Sequence, residues 1–195
     1  GNLRLSAQMP PLSPKNLRSV KLEISRKEKN KWQEVALAPI ETPGYIAIFD
    51  IPGWDTRHAW SYRLSYPLGE TMYLFKGTIP KEPDDQEIMI AGAHNHLLMP
   101  ESIGQYYPFS GNQFWYPHQQ WVNKIKQINP HLLVYTGNQV NPDQPVAADL
   151  SGSEHLYLDY LYKWYLFCWS QRELSKDIPA VILPGSGDYY RDSLP

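Results

Sequence analysis

The sequence predicts two domains, a small β-sandwich followed by a parallel α/β sheet that stops after three strands. In the first 80 residues, apolar and polar residues alternate in several short runs, which is typical of half-buried strands. A polar stretch bracketed by prolines, residues 80–86, then interrupts this pattern. Beyond it, short apolar runs alternate with segments of helical period, as in a βαβαβ unit. We therefore place the domains at residues 1–83 and 84–195.

Five strands are predicted in the first domain. Val20, Leu22 and Ile24 alternate with polar residues, and so do the aromatic and aliphatic residues between Trp60 and Tyr66. Proline–glycine pairs separate the runs at short intervals, as turns do. The predicted strands are 20–24, 32–37, 45–49, 60–66 and 73–79. Several short alternating strands without helical periods indicate a β-sandwich.

The second domain is predicted to contain three strands joined by two helices. Pro117 suits the first position of a helix, which Pro130 ends. The second helix starts at a capping box, Ser151 with Glu154, runs to about residue 176 and carries Cys168, which we expect to be a buried, unreactive thiol. The predicted strands are 87–93, 132–135 and 178–183, the last of the buried type. Because the pattern stops there, we expect a partial, parallel sheet.

Charge and composition exclude several classes of function. The chain has 18 Lys and Arg against 20 Asp and Glu, which argues against a dedicated nucleic-acid binder. No apolar run approaches the length of a membrane-spanning helix. The single cysteine, Cys168, excludes an intrachain disulfide and a thiolate zinc cluster. The start of the chain shows no signal peptide.

Candidate ligand-binding residues follow each strand of the predicted parallel sheet. Such sheets bind ligands beyond the carboxyl ends of their strands. His94, Asn95 and His96 follow the first strand, Asn138 follows the second, and Asp188 follows the third. Imidazole and oxygen ligands suit zinc, manganese or iron.

Simpler interpretations of the same residues remain open. The histidines could bond backbone groups in a loop, and Asn138 could form a turn after Gly137. The segment 185–187, Gly-Ser-Gly, could be a flexible turn or an engineered linker. His118, at the start of a helix, is a further candidate that could equally face solvent.

Two parts of the second half resemble a known family. Pro117-His118 and residues 129–139 (NPHLLVYTGNQ) resemble the PH…PDLL.F.GDQ segment of alkaline phosphatase D-like metallophosphoesterases. Residues 154–165 (EHLYLDYLYKWY) and 178–182 (IPAVI) resemble the long helix and third strand of that family. The resemblance implies a fibronectin III-like or immunoglobulin-like sandwich followed by a metallophosphoesterase-like domain. It further implies export to the periplasm, the cell surface or the outside of the cell.

The resemblance implies hydrolysis of phosphate esters at a site with two or more divalent metals (zinc, manganese, iron or calcium). In the family, an aspartate of the Gly-Asp-Gln motif bridges the metals, and a stretch like Asp-Asp-His-Asp follows the third strand. Here Asn138 stands at the aspartate position, and residues 185–188 read Gly-Ser-Gly-Asp. The family's later histidine motifs would lie beyond Pro195. We therefore expect a truncated homologue that binds no metal and is catalytically inactive.

Two other functions remain open from the sequence. One is a residual one-metal phosphoesterase that uses His94, His96, Asn138 and Asp188 on a phosphate ester. The other is a noncatalytic binding or adaptor module built on the sandwich. The aromatic helix face at 157–169 also predicts a homodimer or packing against the sandwich through this face, because its rings exceed what one apolar stripe needs.

Overall fold

A computed structural model describes residues 1–26, 31–83, 87–93, 118–140 and 153–189. The chain is mostly β-sheet with few helices and divides into two compact units. The first comprises Gly1–Gln86 together with Lys176–Ile178, and the second comprises Glu87–Ser175 with Pro179–Pro195. None of the helices in the described ranges is both long enough and apolar enough to cross a membrane.

The first unit is an antiparallel arrangement of two sheets. Its strands are β1 (Asn2–Gln8), β2 (Ser19–Arg26), β3 (Gln33–Pro39), β4 (Ile46–Pro52), β5 (Trp60–Leu68) and β6 (Thr71–Ile79). One sheet pairs β1 with β4, and the other has the order β3-β2-β5-β6. A two-residue turn joins β5 to β6, and Gly69 supplies its positive φ of 60°.

Both sheets contribute to one apolar core, which makes the arrangement sandwich-like. Alternate residues of each strand face inward, as the period of two requires. Phe49 on β4 and Leu22 on β2 are essentially fully buried, and Tyr66 on β5 joins them. The hydroxyl of Tyr66 donates a hydrogen bond to the carbonyl of Asn16. The buried members of this core are Ala7, Val20, Leu22, Ile24, Ala38, Ile40, Ala47, Phe49, Tyr62, Leu64 and Tyr66.

The sequence prediction missed β1. Leu3, Leu5 and Ala7 alternate with polar residues and pair antiparallel with Ile51, Phe49 and Ala47 of β4. The alternation was available in the sequence, but the run is short and Ala7 is a weak strand former. Pairing with β4 supplies the stability that local preference does not.

The second unit contains a three-stranded parallel sheet of order β7-β8-β9. Its elements are β7 (Ile90–Ala93), α1 (His118–Ile128), β8 (Leu132–Tyr135), α2 (Ser153–Ser170), α3 (Arg172–Ser175) and β9 (Ala180–Ile182). A single 3-10 turn, Ser186–Asp188, follows β9. Helix α1 ends because Asn129 adopts a left-handed φ of 49° immediately before a proline.

Two expectations for this unit were wrong in detail. The segment 178–183 was expected to be a buried strand, yet Val181, Ile182 and Leu183 are all more than two-fifths exposed. The helix expected to run to about residue 176 is interrupted at Gln171, so that α2 and α3 are separate. At this break Ser170 donates its hydroxyl to the carbonyl of Phe167, 2.7 Å away, a local bond that competes with helix continuation.

Candidate functional site at the strand ends

The carboxyl ends of the three parallel strands lie at the same edge of the sheet. The N–H of Thr136, just after β8, donates to the carbonyl of Ala93 at 2.9 Å, and the N–H of Leu183, just after β9, donates to that of Tyr135 at 2.8 Å. The loops that leave β8 and β9 therefore start side by side. This is the edge at which open parallel sheets bind ligands.

Two glycines bring these loops into backbone contact. Gly137 has a positive φ of 110°, and a Cβ atom there would lie 2.9 Å from the Cα of Gly185. A Cβ atom on Gly185 would lie 3.1 Å from the Cα of Gly137 and 3.3 Å from Oδ1 of Asn138. Gly137 therefore requires glycine, both for this contact and for its backbone angle, whereas a Cβ at Gly185 would push its neighbours away by a few tenths of an ångström. The Gly-Ser-Gly segment thus begins at a packed position.

Asn138 sits in this contact with a left-handed backbone. Its φ is 57°, a conformation that asparagine tolerates better than most residues. The side chain is half-buried, and its Oδ1 lies next to Gly185. The structure thus supports the turn-forming role of this residue that local sequence rules indicated, while leaving its oxygen at the strand-end edge.

Asp188 holds the same two loops together from inside. It is 1% exposed. Its Oδ1 accepts the N–H of Val140 at 2.8 Å, and its Oδ2 accepts the N–H of Gly185 at 2.8 Å. We call this arrangement of Asp188, Val140 and Gly185 the carboxylate clamp. Hydrogen bonds to an ionised acceptor are about twice as strong as neutral ones, so the clamp fixes the loop after β8 against the turn after β9.

Helix α2 is attached to the same turn. The hydroxyl of Tyr160 donates to the backbone carbonyl of Asp188 at 2.6 Å. The backbone carbonyl of Asp188 thus binds the helix, and its carboxylate binds the two loops. The residue serves as a structural connection among three segments of the second unit.

The structure brings together only part of the predicted ligand set. Asn138 and Asp188 belong to adjoining loops, as expected for strand ends. His94, Asn95 and His96 lie outside the described residues. His118 is the first residue of α1, and its side chain is not among those that the structure describes.

The described residues do not fit a two-metal centre. No three His, Cys, Asp or Glu side chains in the described ranges are grouped closely enough to hold a metal ion. Asn138 carries no charge, and each carboxylate oxygen of Asp188 already accepts a backbone N–H. A metal pair needs an anionic group to neutralise and space the two cations, which a carboxamide cannot supply.

Gln139 is a residue of this edge that the sequence interpretation overlooked. It is fully buried, and among the described residues neither its side-chain nitrogen nor its oxygen has a hydrogen-bond partner. Buried amides without partners are uncommon because desolvation is costly. The only available signal was its position after Gly137-Asn138 at the end of an apolar strand.

The aromatic helix is more enclosed than its sequence suggests. Leu161, Leu166 and Phe167 of α2 are buried, and among the large apolar side chains of 157–169 only Leu158, Tyr162 and Trp169 are 36% or more exposed. Tyr165 stacks between the rings of Tyr162 and Trp169. Burial raises the pKa of the half-buried Cys168 thiol to about 12, so that it stays protonated at neutral pH.

Comparisons with known protein families, with curated proteins and with solved structures found no match to this chain.

Proposed function

We propose that the chain is an alkaline phosphatase D-like metallophosphoesterase homologue that does not hydrolyse phosphate esters. The observation that carries the proposal is Asn138, which follows β8 where the family's motif has its metal-bridging aspartate. The order of elements in the second unit, strand, helix, strand, helix and strand in a parallel sheet, supports the family assignment. The sandwich-like first unit is consistent with the domain that precedes the catalytic one in that family.

The electrostatics of the strand-end edge support the absence of catalysis. A carboxamide offers one oxygen but no negative charge, and divalent cations of the family prefer anionic oxygen ligands. Asp188 is the one described carboxylate at this edge, and its two oxygens are directed at backbone N–H groups. Using it as a ligand would leave those donors to compete with the metal for its oxygens.

Two alternatives are tested by the same measurements. A residual phosphoesterase would combine the histidines at 94 and 96 with Asn138 and Asp188 around one metal. A noncatalytic binding module would use the sandwich, and the exposed apolar strand β6 favours it. In either case we propose an exported protein that does not bind nucleic acid, in line with the family resemblance and the balanced charge.

The decisive experiment replaces Asn138 by the negatively charged aspartate of the family motif. Its metal affinity is compared with that of a second asparagine-to-aspartate variant. Asn138→Asp should raise the affinity for zinc or manganese, measured by calorimetry, because it restores an anionic ligand at the strand-end edge. Asn129→Asp is the matched control. Asn129 also has a left-handed φ, 49°, but it ends α1 and is exposed.

Neither variant should hydrolyse phosphomonoesters or phosphodiesters with added zinc, manganese, iron or calcium, and neither should the unmodified chain. Equal metal affinity in the two variants would remove the support for the family assignment. Turnover by the unmodified chain that is lost in His94→Ala would establish the residual phosphoesterase instead.

A further inference from the structure

Strand β6 exposes a row of large apolar side chains. Met72, Tyr73, Leu74 and Phe75 are 57%, 55%, 51% and 36% exposed. Tyr73 and Phe75 pair with the core residues Tyr66 and Leu64 of β5, so they lie on the core-facing side of the sheet. Met72 and Leu74 lie on the opposite side, because successive side chains alternate. Both faces of this strand are therefore apolar and uncovered over the same four residues.

Among the described strands, the outer backbone edge of the same stretch has no neighbour. β6 is an edge strand, and in the described part of the chain its only neighbour is β5. The N–H of Thr78 points away from β5, since it donates to the carbonyl of Lys176 at 3.1 Å and to Oδ1 of Asp177 at 2.9 Å. In a regular antiparallel ladder every second residue points outward. Met72, Leu74 and Lys76 therefore direct their backbone groups outward as well.

Natural sheets usually protect such an edge with charges, a proline or a bulge. The pairing of β5 with β6 is regular from Thr71 to Ile79 without a register shift. Lys76 is the only charged residue in the strand, and there is no proline. Residues 71–75 therefore carry none of these protections, and Lys76 is the first charge after them.

The free stretch is self-complementary in an antiparallel pairing. Its outward-facing positions are 72, 74 and 76, so a two-fold axis through Leu74 uses all of them and leaves Thr78 with its existing partners. In this register Tyr73 faces Phe75 of the second copy, an aromatic pair of the kind that stabilises antiparallel strands. Lys76 faces Met72 of the second copy, so the two lysines do not face each other.

The exposed apolar area of residues 72–75 is sufficient for a weakly associating dimer. Given 150–250 Å² for a full aromatic side chain, the four exposed side chains offer on the order of 400 Å² per copy. Strand pairing covers only the flank of each side chain that faces the second copy, so two copies would bury less than about 800 Å² from these side chains, an area typical of weak, reversible interfaces. On α2 the exposed apolar side chains are Leu158, Tyr162 and Trp169, at 37%, 37% and 39%, so the exposed apolar area of this helix is smaller than that of β6.

We propose that two copies of this chain associate through β6, joining their four-stranded sheets into one continuous antiparallel sheet centred on Leu74. The association is reversible at micromolar concentration because the area is small. It depends neither on the family assignment nor on catalysis, so its test is independent of the proposed function.

The test is sedimentation of the full chain across micromolar concentrations. The mass should rise from 22.6 kDa toward twice that value. Leu74→Pro removes an outward N–H without touching the ladder to β5, and Leu74→Lys places charge on the edge. Each should raise the dissociation constant about tenfold or more. Leu37→Lys is the matched control, because Leu37 is 58% exposed on β3, the opposite edge of the same sheet.

A second measurement tests the register independently. Cα atoms of a hydrogen-bonded antiparallel pair lie about 5.5 Å apart, within the range for a disulfide. In a Cys168→Ser background, Leu74→Cys should therefore cross-link to itself under mild oxidation, whereas Leu37→Cys should not. A chain that stays monomeric, or a dimer that resists both Leu74 substitutions but dissociates in Tyr162→Glu, would overturn the proposal.

Discussion

Removing the carboxylate of Asp188 should destabilise the second unit strongly. The side chain is 1% exposed and accepts two backbone N–H groups at 2.8 Å. A hydrogen bond to a charged group contributes about 1.5–3 kcal/mol, and an unsatisfied buried donor costs about 1–3 kcal/mol. Asp188→Ala leaves two such donors and should lower the free energy of unfolding by about 3–5 kcal/mol. Asp188→Asn keeps one acceptor and should cost about half as much.

Amide hydrogen exchange followed by NMR measures the loss of stability at the two N–H groups that the Asp188 carboxylate binds. The amides of Val140 and Gly185 should lose most of their protection in Asp188→Ala, and thermal unfolding should report the overall loss. Asp50→Ala is the control, because Asp50 is exposed and holds one side-chain hydrogen bond to Asn2; it should change stability by less than about 0.5 kcal/mol. A stable Asp188→Ala variant with unchanged exchange at Gly185 would refute the clamp.

Three further substitutions have defined outcomes. Gln139→Leu should be neutral or stabilising in thermal unfolding, because it replaces an amide that is buried without partners by an apolar side chain of similar size. The hydrogen bonds and charge of Arg63 lower the pKa of Glu23, so their ion pair stabilises the folded state above the unfolded pKa of Glu23 and is lost as the pH falls through the lower folded value. Glu23→Gln should therefore flatten the acid limb of a plot of unfolding temperature against pH. Gly77→Ala should destabilise the first unit by about 2 kcal/mol or more in chemical denaturation, because the new Cβ would lie 2.1 Å from the carbonyl of Lys176.

Most strands could be predicted from the sequence because local alternation and core burial agree. Leu22 and Ile24 alternate with polar residues and are buried, and β8 has the bounds expected from its apolar run. The start of α1 was expected at Pro117 and the helix begins at His118, while its end before Pro130 follows from the left-handed Asn129. In these segments a single short-range rule decides the structure.

The features that the sequence did not predict depend on contacts between residues distant in the chain. β1 is stabilised by pairing with β4, whose paired residues lie 38 to 50 positions later in the chain. The role of Asp188 could not be predicted locally, because its carboxylate accepts the N–H of Val140, 48 positions earlier. The sequence pattern suggested a metal ligand there because open parallel sheets bind ligands beyond the carboxyl ends of their strands. For Gln139 the sequence offered only its position after Gly137-Asn138, since a buried amide breaks the rule that polar side chains avoid the core.

The carboxylate clamp and the contact between Gly137 and Gly185 couple positions that would otherwise evolve independently. Gly137 and Gly185 can exchange for larger residues only together with a change in loop spacing, and Asp188 has a function only while both loops keep their shape. The three residues should therefore be inherited and lost as a set. A two-part pattern, Gly-Asn-Gln-Val after one strand and Gly-x-x-Asp after the next, would identify distant relatives that share this edge even where their helices have diverged.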